Sequence, residues 1–289
     1  MTPYDIIGDI HGHYDKLTAL LNKLGYAPEQ GIWSHAAGRK VVFLGDFIDR
    51  GPKIRRVLQL VRRMCDAGHA LAVMGNHEYN AVCFHTMGDA GDWLRPRDAR
   101  NRQQHAVTLA EFWDRREEWD GWVEWFRTLP FYLDLGGIRA VHACWHPAEI
   151  EVVGDRTLRD PDFLAATAKA GTPEFQAIET LLKGMEVPVP PEAIYHDKEG
   201  HPRRAIRARW WNQNPIGQTY RSLIFPPADS PPDTPVPEEL TRLMPGYSSE
   251  APPVFVGHYW LPAKFTPEPI LPNLACLDYS AANAGPLVA

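Results

Sequence analysis

Five short polar clusters carry the side chains that could do chemistry: Asp9-x-His11, Asp46-x-x-Asp49-Arg50, Asn76-His77, His142 and His258. Carboxylate, imidazole and amide together suit Mn²⁺, Fe or Zn²⁺ better than Ca²⁺ or Mg²⁺. If Asp46 bridges, then Asp9, His11 and Asp46 would hold one cation, and Asp46, Asn76, His142 and His258 would hold a second. A shared carboxylate keeps two metals about 3.5–4 Å apart, the separation used for in-line phosphoryl displacement. Two such cations acidify a bridging water to hydroxide near neutral pH, and that hydroxide would attack phosphorus. Arg50 presents a planar fork of donors to the equatorial phosphoryl oxygens. His77 is placed to protonate the leaving oxygen, and Asp49 to hold that ring in the right tautomer. Any one cluster could be a solvated turn, since Asp and Gly favour turns. Five of them in order along one sheet edge are poorly explained that way.

The elements that must position these side chains can be read from periodicity. Residues 4–8, 40–44 and 70–74 are apolar runs of strand character, each ending in one of the first three clusters. Between them, Leu17, Leu20, Leu21 and Leu24 mark one helical face closed by Gly25, and Ile54, Val57, Leu58, Val61 and Cys65 mark another closed by Gly68. This β-α-β-α-β order implies parallel strands with right-handed crossovers, which deliver their carboxyl ends to a common edge. Residues 79–129 read as largely helical, with Trp119, Trp122, Val123 and Phe126 on a core face. Within them the basic stretch 95–102 is expected to be a solvated loop, with a phosphate-attracting rim as the alternative. Residues 131–141 read as a hairpin turning at Gly136-Gly137 and ending in His142. Helices are expected near 160–170 and 173–184, a hairpin around 197–200, and an extended Pro-dense loop over 226–253. Residues 254–256 form the last clear strand, ending at Gly257-His258, and residues 285–289 look like the start of a strand cut short.

The chain has 289 residues, 44% of them apolar, enough for a substantial core. A formal net charge of −6 gives no basic excess that would favour nucleic acid or an anionic membrane as partner. Four scattered Cys without a C-x-x-C pair fit a reduced, cytoplasmic chain. No apolar run reaches the roughly 20 residues of a membrane helix, and the early strand leaves no room for a signal peptide.

The stretches Gly8-Asp9-Ile10-His11-Gly12, Gly45-Asp46-Phe47-Ile48-Asp49-Arg50-Gly51 and Gly75-Asn76-His77-Glu78, followed by His142 and Gly257-His258, resemble the calcineurin-like metallophosphoesterase signature. Asp49-Arg50-Gly51 resembles its phosphoprotein phosphatase branch, which includes bacterial serine/threonine phosphatases and symmetrical diadenosine tetraphosphate hydrolases. The resemblance implies an α/β fold: a two-sheet β-sandwich flanked by helices, a single domain over 1–289 with a mixed insertion at about 154–252. It carries Asp9, His11, Asp46, Asn76, His142 and His258 over as metal ligands, most simply for two Mn²⁺, His77 and Asp49 as acid and orienter, and Arg50 as phosphate binder. A second phosphate-binding arginine is usual in that branch, and Arg209, or else Arg207, fits its place. Many phosphodiesterase branches end in Gly-His-x-His, whereas Tyr259-Trp260 follow His258 here, which argues against a cyclic-nucleotide phosphodiesterase. The activity expected first is a phosphomonoesterase of the serine/threonine phosphatase type. The alternatives are a symmetrical dinucleoside polyphosphate hydrolase, with Trp210 or Trp211 as base platform, a non-catalytic phosphate-binding scaffold, and a nuclease drawing on residues 95–102.

Overall fold

The computed structural model describes residues 3–89, 91–196, 202–264 and 266–289. The first half runs β1 (Tyr4–Ile7), α1 (Tyr14–Lys23), β2 (Tyr26–Glu29), β3 (Ile32–His35), β4 (Lys40–Phe43), α2 (Ile54–Asp66), β5 (Ala70–Ala72) and α3 (Asn76–His85). Then come α4 (Ala99–Glu111), α5 (Arg116–Phe126), β6 (Tyr132–Asp134) and β7 (Arg139–Val141). β1, β4 and β5 form a parallel sheet in that order, with Ile7 opposite Phe43 and Phe43 opposite Ala72. That register aligns three carboxyl ends, so the Asp9, Asp46 and Asn76 clusters leave the sheet along one edge. Val41, Val42 and Phe43 are all buried, as expected of a central parallel strand covered on both faces.

The rest of the chain runs α6 (Pro147–Val153), α7 (Pro161–Ala168), α8 (Pro173–Lys183), β8 (Glu186–Pro188), β9 (Tyr195–His196), β10 (Pro202–Arg203) and β11 (Ala205–Arg207). Short helices α9 (Tyr220–Leu223) and α10 (Glu238–Thr241) precede β12 (Val254–Val256) and β13 (Leu274–Cys276). The second sheet has the order β13-β12-β7-β6, with β12 parallel to both neighbours and β6 antiparallel to β7. Its parallel ends deliver His142, His258 and Asp278. Ile6, Val42, Leu44 and Val73 from the first sheet share one buried cluster with Ala140 and Leu277 from the second. That cluster lies between the sheets, so the two carboxyl edges are joined through packed side chains.

Several expectations change. The hairpin β2–β3 and helix α6 were not legible in the sequence, and β13 is a strand beyond the one expected to be last. Residues 197–200, the expected turn, lie outside the described residues; β9 and β10 on either side pair antiparallel. The 154–252 region is stitched into the core: Ile178, Leu181 and Trp210 are buried, and the Ala143 N–H donates to Leu181 O at 2.9 Å. Residues 95–102 are loop only as far as Asp98 and then enter α4, where Arg100 and Arg102 are exposed, while the two loop arginines are held by the protein. Arg95 bonds Asn80, Asn101 and Gln104, and Arg97 donates to Phe84 O while stacking on Trp93.

Candidate metal centre

Backbone hydrogen bonds bring the clusters together before any side chain is considered. The Asp46 carbonyl accepts from the N–H of Ile10 at 3.1 Å and of His11 at 2.8 Å, joining the first two strand ends. The Gly257 N–H donates to His142 O at 2.8 Å, joining the last two. The Asp46 carboxylate accepts from the His77 N–H at the start of α3, 3.0 Å away, where unpaired amides and the helix dipole favour an anion. Glu78, wholly buried, ties this junction: its two oxygens accept from the N–H groups of Asp46, Phe47, Ile48 and Gly75 at 2.8–3.3 Å. Gly75 and Gly257 are needed because a Cβ at either would lie 2.3 Å and 2.0 Å from the carboxylate oxygens of Asp46 and Asp9.

Asp46 lies between two groups of donors. Its Oδ2 faces His11 Nε2 at 3.4 Å, and its Oδ1 faces His142 Nε2 at 3.4 Å. Ligand atoms of His11, Asp46 and His77 lie within 4.8 Å of one another, as do those of Asp9, Asp46 and His142. Asn76 Oδ1 lies 3.0 Å from His142 Nε2 and 2.8 Å from His258 Nδ1. The six expected ligands are thus brought together around Asp46, but the close groups set Asp9 with His142 and put His77 beside His11, which differs from the expected pairing of Asp9 with His11.

The protonation pattern fits a cation. Nδ1 of His11 donates to Ile48 O at 2.8 Å, and Nδ1 of His142 donates to Leu44 O at 2.6 Å. In a neutral ring that leaves each Nε2 with a bare lone pair. His142 Nε2 faces both the Asn76 amide oxygen at 3.0 Å and Asp46 Oδ1 at 3.4 Å, a set of donor atoms that a cation between them would join. His11 Nε2 is buried without a hydrogen-bond partner. Burial pushes His11 down to about 3 and outweighs the nearby Asp46 charge, so the ring is neutral at pH 7. Burial also holds His258 well below the ordinary histidine value. Burial, with the Asp278 and Asp46 charges, pushes Asp9 well above the usual carboxylate range. Burial raises Asp46 as well, but the His142, His77 and His11 rings outweigh it and bring that carboxyl down to about 2. An Asp46 carboxyl held low beside a neutral His11 ring and a His258 ring held low offers cation donors, and these buried His/Asp clusters are consistent with a dinuclear metal site.

Beside the ligands, Asp49 Oδ2 accepts from His77 Nδ1 at 2.5 Å, and Arg50 Nη2 lies 3.3 Å from His77 Nε2. Burial pulls His77 down, but Asp46 and the Asp49 bond outweigh it and leave the imidazole above its usual value. Asp49 is further fixed by His105 Nδ1 at 2.8 Å and Thr108 Oγ1 at 2.6 Å. Burial opposes its ionisation, yet these bonds and the two rings hold it well below the carboxylate range. Of the eight non-glycine residues with left-handed backbone among those described, His11, Asp46, Asp49, Arg50, His258 and Trp260 belong to this site. Strain concentrated in this way is a mark of functional loops.

Some expectations need correction. Trp210 and Trp211 are buried, at 0% and 6% exposure, with Trp210 Nε1 donating to Ala143 O; they form the floor behind His142 and offer no base platform. Arg209 donates through Nε to Ile224 O at 3.2 Å, and burial lowers its guanidinium below the usual value. His146 caps α6, its Nδ1 accepting from the Glu149 N–H at 3.4 Å, and its Nε2 lies 3.3 Å from Leu243 O. Cys144 is fully buried and burial pushes its thiol well up, as an inert core thiol requires. Sequence reasoning missed His105, Thr108 and Asp278 as parts of the site. Only Asp278 left a trace, as an acid just past the apolar residues of β13.

The sequence profile of the calcineurin-like phosphoesterase family matches residues 2–187. Bis(5'-nucleosyl)-tetraphosphatase PrpE [asymmetrical] of Bacillus subtilis is 50% identical over 163 residues, 56% of this chain and 64% of that protein. The protein of the same description from Bacillus velezensis is 47% identical over 142 residues, 48% of this chain and 55% of its own length. The chain thus spans less than two thirds of either relative. A crystal structure described as a putative diadenosine tetraphosphatase aligns over 98% of this chain and 85% of its own, at 15% identity and a TM-score of 0.41.

Proposed function

Because the chain belongs to the calcineurin-like phosphoesterase family, we propose that it is a metal-dependent phosphoester hydrolase acting on a dinucleoside tetraphosphate, which it cleaves asymmetrically. The observation that carries the metal-dependent part is the convergence of Asn76 Oδ1, His142 Nε2 and His258 Nδ1 on one side of Asp46, with His11 Nε2 on the other. The choice of substrate follows the relatives, described as asymmetrical nucleosyl-tetraphosphatases. It moves a dinucleoside substrate ahead of the phosphomonoester expected first, and replaces the symmetrical cut with an unequal one. The sandwich arrangement of the family is supported by the buried cluster that both sheets share. One domain over 1–289 carrying 154–252 as an insertion is supported by the burial of Leu181 and Trp210 in the common core.

Asp9, His11 and Asp46 would hold one cation, and Asp46, Asn76, His142 and His258 the other. When bound, such cations supply charge neutralisation at phosphoryl oxygens and acidified water, and Mn²⁺ suits the mixed N/O donors. Arg50, beside His77, receives non-bridging oxygens of the scissile group on its guanidinium fork. His77 gives a proton from Nε2 to the leaving phosphate oxygen, while its Nδ1–H stays on Asp49. Asp49 remains ionised throughout because His77, His105 and Thr108 all donate to it. Arg209, or else Arg207, stays the candidate for a second cationic contact, as the family resemblance implies.

Product analysis tests this reading. The Mn²⁺-loaded chain given diadenosine tetraphosphate should release ATP and AMP in equal amounts, faster than it dephosphorylates a phosphoserine peptide. Two equivalents of ADP would contradict the asymmetrical cut. Turnover of the peptide alone would restore the phosphomonoesterase, and no turnover of either would favour a phosphate-binding scaffold.

A further inference from the structure

Trp260 lies two residues beyond His258 and is 37% exposed, one of few large apolar side chains left so among the described residues. Its backbone is left-handed, with φ +52°, a conformation that bulky residues rarely adopt. The buried Asp278 carboxylate holds it there: Oδ2 accepts the Trp260 N–H at 2.7 Å, while Oδ1 accepts that of Ser280 at 3.0 Å. The indole covers the Arg50 guanidinium, whose Cζ lies 3.6 Å from the ring centroid. Arg50 in turn reaches His77 at 3.3 Å. A cation–π pair at an exposed edge stabilises weakly, and less than such a backbone costs. Stacking on Arg50 therefore does not by itself account for a strained, exposed indole fixed from below by a buried acid.

We infer that Trp260 is a specificity-determining residue, an aromatic platform that stacks the base of a nucleotide whose phosphates lie on Arg50. This rests on the proposal that the site binds nucleoside phosphates. Arg50 and Trp260 together match the two halves of such a ligand, a planar cation for phosphate oxygens and a π-face for the base. The inner face of the indole is taken by the guanidinium, so the base uses the remaining exposed surface. Because every base has a π-face, the platform selects nucleotides over phosphopeptides and sugar phosphates without selecting strongly among bases. It takes the role expected of Trp210 or Trp211, which are buried.

AMP and ribose 5-phosphate share the ribose and the phosphate and differ at the anomeric carbon, where one carries adenine and the other a hydroxyl, so their affinities for the Mn²⁺-loaded chain, measured by titration calorimetry, report the stack. The wild type should bind AMP at least about tenfold more tightly than ribose 5-phosphate. Trp260→Ala should remove most of that ratio while leaving ribose 5-phosphate within about twofold, and Trp260→Phe should restore most of it. Equal weakening of both ligands in Trp260→Ala would mean that the indole only clamps Arg50, and would overturn the inference. So would a wild type that binds both ligands alike, or an unchanged ratio in Trp260→Ala. Hydrolysis of glycerol 2-phosphate by the same proteins separates the two failures. Retained hydrolysis with no base effect sinks the platform alone, whereas no hydrolysis of any phosphoester by the wild type sinks the functional reading.

Discussion

Asp49 is the residue on which the proton chemistry turns. It accepts from His77 on one oxygen and from His105 and Thr108 on the other, so its carboxylate cannot swing away from His77 without abandoning two bonds. His77→Asn should cut turnover by about 100-fold or more, the usual scale for losing a general acid, with metal content unchanged. Loss of metal in that variant would make His77 a ligand, a role its grouping with His11 and Asp46 leaves open. His105→Ala should lower turnover by about tenfold, as loss of an outer partner commonly does. His105→Asn keeps a donor toward Asp49 and should recover most of it; equal loss in both would assign His105 to packing against Phe84, His85 and Trp119 instead. His105 was invisible in the sequence because nothing in the pattern of α4 separates it from an ordinary core histidine.

At the scale of elements, the site is made by strand ends and by the glycines that let them touch. The three opening strands were legible because each apolar run stops at a polar cluster and each helix between them has a single apolar face. β13 was not, since Leu274–Cys276 is three residues long and follows a Pro-rich stretch; it is defined by its register with β12. The β2–β3 hairpin was missed for a similar reason, as its strands hold few consecutive apolar residues and pair only with each other. Gly257 illustrates how closely elements approach: a Cβ there would lie 2.0 Å from Asp9 Oδ1, far inside contact distance. Gly257→Ala should therefore displace Asp9 and weaken metal binding about 10- to 100-fold, the range seen when a ligand loses its correct support. Titration with Mn²⁺ monitored by calorimetry or paramagnetic resonance measures this. Unchanged affinity would mean that Asp9 is not a ligand or that the β12 end yields.

Over the whole molecule, two parallel-rich sheets share a buried face, and both present their carboxyl edges to one place. This arrangement lets residues as distant in the chain as Asp9 and His258 meet, the His258 N–H donating to Asp9 Oδ2 at 3.1 Å. Ligand order along the chain was readable; the conversion of Trp210 and Trp211 from a candidate platform to a floor was not, because burial is decided by what 154–252 packs against. No helix among the described residues is long and apolar enough to cross a membrane. The most direct test of the account is anomalous diffraction from crystals of the Mn²⁺-loaded protein. It should give two peaks about 3.5–4 Å apart astride the Asp46 carboxylate, one nearer Asp9 and His11 and the other nearer Asn76, His142 and His258. A single peak, or manganese bound away from Asp46, would contradict it.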